Sequence, residues 1–159
     1  KIVKGDMVND PLPFSDETFD AVLCEATIEH LPESPKELFN EVHRVLKRGG
    51  LFLVSTPNLA NLLRRLRFLL GRSPHWDLKE FFEAGRNFKG HRREYTLKEV
   101  VSMLEWSSFK IIFKKDKVVF FNPKRFFNLK KIPSQLCSLI SYVLPDCRDM
   151  IYVLGRKKQ

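Results

Sequence analysis

The seven glycines of this 159-residue chain are scattered, and nowhere do they form G-x-G-x-x-G or a shorter glycine-rich loop. Three cysteines (Cys24, Cys137 and Cys147) stand far apart. Their spacing offers no CxxC metal motif, and an odd count offers no disulfide framework, so a reducing cytoplasm is the expected location. No apolar run approaches the ~20 residues that cross a bilayer. The first residues, Lys1-Ile2-Val3-Lys4-Gly5-Asp6, include no initiator Met and no apolar leader. Internal repeats and low-complexity tracts are also absent.

What is there is an ordinary globular mixture, 43% hydrophobic and 30% charged, of a size that suits one domain with one core. The net charge of +9 is unevenly placed. Residues 1–60 carry six basic and ten acidic side chains, and residues 61–159 carry 22 basic and nine acidic. The basic half suits either an anionic partner (nucleic acid, a lipid head group, a phosphorylated substrate) or a solvated surface.

The pattern predicts short strands at Lys1–Lys4, Phe19–Cys24 and Leu51–Ser55, the last stopped by Pro57. Between the second and third lies a helix. Ser34 caps it, Pro35 takes its first position and Glu37 completes a capping box. Leu38, Phe39, Val42, Val45 and Leu46 form its buried face, and Gly49-Gly50 end it. The alternation implies a parallel sheet with helices on its faces and ligands beyond the strands' carboxyl ends, at Asp6-Met7, Cys24-Glu25-Ala26 and Thr56-Pro57-Asn58. Further on, Asn61–Leu70 has an amphipathic Leu/Arg pattern and residues 71–95 look irregular. Thr96-x-x-Glu99 opens a helix reaching about Trp106. Lys110–Phe113, Val118–Phe121 and Met150–Leu154 read as strands, and residues 124–145 as one or two helices broken by Pro133 and Pro145.

Five passages, in order, resemble the class I S-adenosylmethionine-dependent methyltransferases. They are Gly5-Asp6 with Leu12–Val22, Glu29-His30-Leu31, Glu41–Gly50, Ser55–Asn58, and Gly90-His91-Arg92-Arg93-Glu94-Tyr95-Thr96 followed by a capped helix and Phe109. In the last passage Ser108 stands where the family usually has Gly. The resemblance implies an α/β fold: a three-layer, Rossmann-like sheet of strand order 3-2-1-4-5-7-6 with the seventh strand antiparallel. Mapped on this chain, strands three to seven have counterparts and strands one and two have none. The fourth strand is then expected to be an edge, and the chain alone to bind the cofactor weakly. The whole, residues 1–159, reads as one partial methyltransferase domain with 59–95 as a lid or insertion.

Site roles follow from the resemblance. Asp6 would accept a hydrogen bond from the adenine amine and Met7 would pack on the ring. Backbone at Cys24, Glu25 and Ala26 would meet the methionine moiety of S-adenosylmethionine. His30 would be general base or positioning group at the methyl-transfer centre. Asn58, His91, Arg93 and Tyr95 would line the acceptor pocket. Quinone-pathway relatives that hold a divalent metal have a further Glu where this chain has Ala26, so no metal is expected. The expected reaction is methyl transfer to a small-molecule, glycan or lipid-pathway acceptor. Segment 61–70 reads first as a lid helix with a solvated Arg face and, alternatively, as an interfacial helix in peripheral contact with anionic lipid. The alternatives are an RNA-directed enzyme using the basic half and a non-catalytic remnant serving as an interaction domain.

Overall fold

A computed structural model describes residues 3–7, 10–75, 77–119 and 132–158. Strand β1 spans Phe19–Glu25, β2 Leu46–Pro57, β3 Phe109–Lys117 and β4 Met150–Lys157. The helices are α1 (Lys36–Val45), α2 (Leu62–Leu69), α3 (Leu78–Ala84), α4 (Leu97–Trp106) and α5 (Ile132–Ile140). The strand order is β1-β2-β4-β3, with β1 parallel to β2 and β4 antiparallel to both its neighbours. This is the 4-5-7-6 half of the expected order, antiparallel last strand included.

Side chains alternate across the pleat, so register assigns each to a face. Phe52, Val54 and Thr56 of β2 lie opposite Gly155, Val153 and Ile151 of β4. This face packs on Leu38, Phe39 and Val42 of α1 and on Val100 and Leu104 of α4 to make the core. Phe52 meets Phe39 edge-on at 5.2 Å and Phe109 at 5.3 Å. Burying each such side chain is worth about 1.5–3 kcal/mol. Gly155 is needed here, because a Cβ would fall 2.9 Å from both Leu104 Cδ2 and Phe109 Cβ. The other face is barer. Leu23, Leu53 and Leu154 are in register across three strands, and Leu23 is 68% exposed. Among the described residues nothing pairs with the outer side of β1.

Arg44 fixes the loop before β1. It donates to the carbonyls of Leu12 (3.0 Å) and Phe14 (2.8 Å) and to Asp16 Oδ1 (2.7 Å), while Glu41 of α1 braces it and accepts from Leu12 N.

Several sequence expectations shift. The Ser34/Glu37 capping box does not form: Pro35 is the N-cap residue and has no side-chain cap bond. Helix α1 stops at Val45, before the glycines, because Leu46 already pairs with Phe19. The register resumes at Ala21 opposite Leu51, so residues 47–50 bulge outward. Gly49 (φ 72°) makes that turn, and a Cβ on Gly50 would sit 2.8 Å from the Lys47 carbonyl. Val3 and Lys4 are not in a strand, and Lys1 and Ile2 lie outside the described residues. Within 71–95 a helix, α3, is present, capped by Asp77 through Glu80 N. Pro133 falls in the first turn of α5 instead of breaking it, a position that tolerates proline. Val118 and Val119 are in no strand, and Phe120 and Phe121 lie outside the described residues, as does 124–131. The Thr96/Glu99 capping box is formed in full. Ser108, the residue in place of glycine, has φ 65°.

Candidate active site

The carboxyl ends of β1 and β2 are locked side by side. Glu25 pairs with Ser55, and Ala26 N donates to the Ser55 carbonyl at 3.0 Å. The chain then turns sharply at Ala26, whose φ of 45° is left-handed. A non-glycine residue there costs about 1–2 kcal/mol, and such outliers cluster at functional sites. A 3-10 turn, Ile28–His30, follows at once.

This turn buries Glu29 completely. Its Oε2 accepts from Thr56 Oγ1 at 3.0 Å, while Oε1 is buried without a hydrogen-bond partner. The Glu29 carbonyl accepts from Arg92 N (2.8 Å) and Arg93 N (3.3 Å), which lays segment 88–95 over the turn. His30 Nδ1 lies 3.0 Å from the Lys89 carbonyl. A carbonyl only accepts, so this nitrogen carries a proton, which in the neutral tautomer leaves the lone pair on Nε2. The His30 and His91 rings meet edge to face at 4.8 Å. His91 Nδ1 contacts Glu94, and Arg64, from the first turn of α2, pairs with the same buried carboxylate. Asn61 caps that turn through Arg64 N. Burial lowers the His91 pKa, and the neighbouring His30 and the Arg64 guanidinium oppose a second positive charge there and lower it further. Glu94 does not reverse this, since Arg64 already offsets its charge. The ring is therefore neutral at pH 7.

The residues expected at the site are distributed unevenly. Met7 and Cys24 line one trough of about 350 Å³, together with Thr27 and apolar side chains of β1 and α1. Asp6 is exposed, and its carbonyl accepts from Asp10 N. The Glu25 side chain is exposed, and its carbonyl accepts from Thr27 Oγ1. Burial, slightly opposed by a Thr27 hydrogen bond, pushes the Cys24 thiol up to about 11, which marks an inert core cysteine. His91, with Leu62, Arg64, Gln135, Ser138 and Cys147, lines a cavity of about 300 Å³ between α2 and α5. Arg93 and Tyr95 instead line a larger cleft of about 870 Å³ between α1 and α4, with Arg93 stacked over the Tyr95 ring at 5.3 Å and bonded to Glu99. Asn58 is 1% exposed, and its side chain is committed to scaffolding: it donates to the Asp146 and Arg148 carbonyls and accepts from Ala60 N.

Comparisons with known proteins bear on this arrangement. Residues 1–54 match the family described as "Methyltransferase domain". Over 100 residues the chain is 35% identical to a protein of Mycolicibacterium smegmatis named as a probable S-adenosylmethionine-dependent methyltransferase, covering 63% of this chain and 32% of that one. A solved S-adenosylmethionine-dependent methyltransferase of Thermotoga maritima superposes with a TM-score of 0.59 at 20% identity, covering 98% of this chain and 63% of the other. The domain match over residues 1–54 and the named relative support a class I S-adenosylmethionine-dependent methyltransferase, and the solved structure shares its fold. It is also 34% identical over 111 residues to an uncharacterized protein of Methanocaldococcus jannaschii, covering 70% of this chain and 46% of that one. The chain spans less than half the length of these curated relatives. The cofactor of this methyltransferase family is S-adenosylmethionine.

Sequence reasoning missed four members of the site: Thr56, Arg64, Glu94 and, as more than a neighbour of His30, Glu29. Glu94 has a sequence signal, since it stands three residues after His91. Arg64 has none, because it belongs to a Leu/Arg pattern that reads as a solvated basic face. In the structure α2 has no fully buried residue: Phe68, Leu69 and Leu70 are exposed, and the half-buried Arg64 turns inward.

Proposed function

We propose that this methyltransferase chain serves methyl transfer from S-adenosylmethionine to a small amphipathic acceptor of a lipid or glycan pathway. The observation that carries the reading is the His30–His91 pair at the carboxyl ends of β1 and β2, beside the α2–α5 cavity. S-adenosylmethionine supplies a methyl group already activated on a sulfonium, so the protein's work is alignment, exclusion of water and removal of a proton. The trough of Met7, Cys24 and Thr27 fits the cofactor's purine, a flat ring that packs well on thioether and apolar groups. Asp6 suits the exocyclic amine at its rim. His30 presents Nε2 as base because Lys89 holds its Nδ1 proton. His91, neutral and braced by Glu94, orients the acceptor from the cavity side.

The acceptor class rests on segment 59–95, read as a lid. Phe68, Leu69, Leu70, Leu78 and Phe82 are each more than two-thirds exposed, and Arg65, Arg67, Arg72 and Lys79 are interleaved with them. Apolar and basic groups mixed on one exposed segment suit an anionic amphiphile or a membrane surface. Among the described residues no helix is long and apolar enough to cross a membrane.

The test supplies the full-length protein with methyl-labelled S-adenosylmethionine and separate lipid, water-soluble and RNA extracts. Label should enter the lipid or amphipathic glycan fraction, and His30→Ala should lower kcat by about 100-fold or more. Label in RNA would overturn the acceptor class, and no transfer to any fraction would overturn the reading.

A further inference from the structure

Glu29, His30 and His91 each bring one candidate ligand atom to a common point, all within 4.8 Å of one another. Glu29 comes from the 3-10 turn after β1 together with its neighbour His30, and His91 from the segment laid over that turn. Two independent features set this group apart from an incidental cluster. Glu29 Oε1 is fully buried and has no hydrogen-bond partner, a state that costs free energy unless a cation or donor meets it. Both imidazoles are also oriented in the manner of metal ligands. His30 Nδ1 is bonded to the Lys89 carbonyl and His91 Nδ1 to the Glu94 carboxylate. These partners hold the protons on Nδ1, place the lone pairs on Nε2 and fix the ring planes, as outer-shell carbonyls and carboxylates do around metal-bound histidines.

We propose that Glu29, His30 and His91 form a binding site for a divalent first-row transition ion. Two imidazoles and one carboxylate are the donor set that such ions favour over Mg²⁺ and Ca²⁺, which prefer all-oxygen surroundings. Bonds of about 2.0–2.1 Å place tetrahedral ligands about 3.3 Å apart, so the site tightens by up to about 1.5 Å at its widest pair when loaded. His30 is exposed, so a small shift of its ring with the Lys89 hydrogen bond kept can supply that movement. The ion's charge satisfies Glu29 Oε1. Arg64, whose charge is felt at His91, is already paired with Glu94. Three protein ligands leave coordination positions open for water or an oxygen of the acceptor. An acceptor hydroxyl bound there would be acidified by the ion and lose its proton to water, in place of deprotonation by His30. The site deepens the function proposed above, but its test needs no turnover.

The experiment titrates the metal-stripped, full-length protein with Co²⁺ and follows the visible d–d absorption, with Zn²⁺ as competitor. One Co²⁺ per chain is expected, displaced by Zn²⁺. His30→Ala and Glu29→Gln should each weaken binding by 10-fold or more, and Glu94→Gln by about 10- to 100-fold through loss of the outer-shell contact. His75→Ala should leave it unchanged. His30→Ala alters an exposed side chain, so it remains informative if the buried Glu29→Gln fails to fold. Absence of the band, unchanged affinity in His30→Ala, or a thiolate-to-cobalt charge-transfer band from Cys137 or Cys147 would overturn the site. Methyl transfer without metal would leave the preceding reading standing, and metal binding without transfer would leave this one.

Discussion

The hydroxyl of Thr56, next to last in β2, donates to the carboxylate of Glu29 in the turn after β1, at 3.0 Å and wholly out of solvent. It ties the two strand ends that carry the candidate site. Thr56→Val keeps the shape and removes the donor, leaving both Glu29 oxygens unpaired. Stability should fall by about 1–3 kcal/mol, read as a lower midpoint in urea unfolding, and Thr56→Ser should recover most of the loss. An unchanged midpoint in Thr56→Val would show the bond to be unimportant.

Ser108 sits in the left-handed region at φ 65°, between α4 and β3. Its side chain brings a Cβ cost there that glycine avoids. Ser108→Gly should raise stability by about 0.5–1 kcal/mol, and Ser108→Val, β-branched, should lower it. Thermal unfolding of the two variants checks both signs.

The raised Cys24 pKa makes a pH prediction. The fold favours the neutral thiol, so its contribution is complete below the ordinary value of 9.0 and is lost as pH rises through about 11. The loss amounts to about 2–3 kcal/mol. Lysines and tyrosines titrate in the same range, so the quantity to measure is the difference between wild type and Cys24→Ala, which should shrink steadily from pH 9 to 11. A thiol-reactive probe should also label Cys24 at pH 8 only after denaturant is added.

Arg64 and Glu94 form a pair in which Glu94 is buried and Arg64 nearly so, with side-chain exposures of 3% and 19%. Removing one partner strands the other charge. Glu94→Gln should cost about 3 kcal/mol, and Arg64→Met with Glu94→Gln should recover much of it. Loss of Glu94 also leaves His91 facing Arg64 and His30 alone, so the imidazole pKa should drop further, measurable by NMR titration. Because that pKa is already depressed, the stabilising contribution of neutral His91 is present above its ordinary 6.5 and is lost as pH falls through the folded value.

Much of the sheet was legible. Phe19–Cys24, Leu51–Ser55 and Met150–Leu154 are apolar runs bounded by polar residues, and each is a strand, because buried strands need continuous apolar sequence. The Thr96 capping box was equally clear, since its two bonds are local. What failed depended on distant partners. Helix α1 ends where strand pairing captures Leu46, 27 residues from Phe19 in sequence, and the Gly49-Gly50 signal served the bulge instead. At the site, His30 was visible in the Glu29-His30 pair, but the roles of Glu29 and Glu94 emerge only when segment 88–95 folds over the turn. Asn58 shows the converse. A polar residue just past a strand end read as acceptor-facing, yet its amide is spent on the 146–148 loop.

The Arg44 clamp sets a length scale for the loop it holds. Leu12 is gripped by both its N–H and its carbonyl. Five peptide links therefore join Met7 to a fixed post, and even fully extended they span at most roughly 17 Å. The ring proposed above to pack on Met7 must then lie near that sphere, whose centre, Leu12, is tied to α1 and not to the sheet. Inserting residues between Met7 and Leu12 would relax that limit, so the clamp bounds how far Met7 can lie from α1 as well as holding the loop.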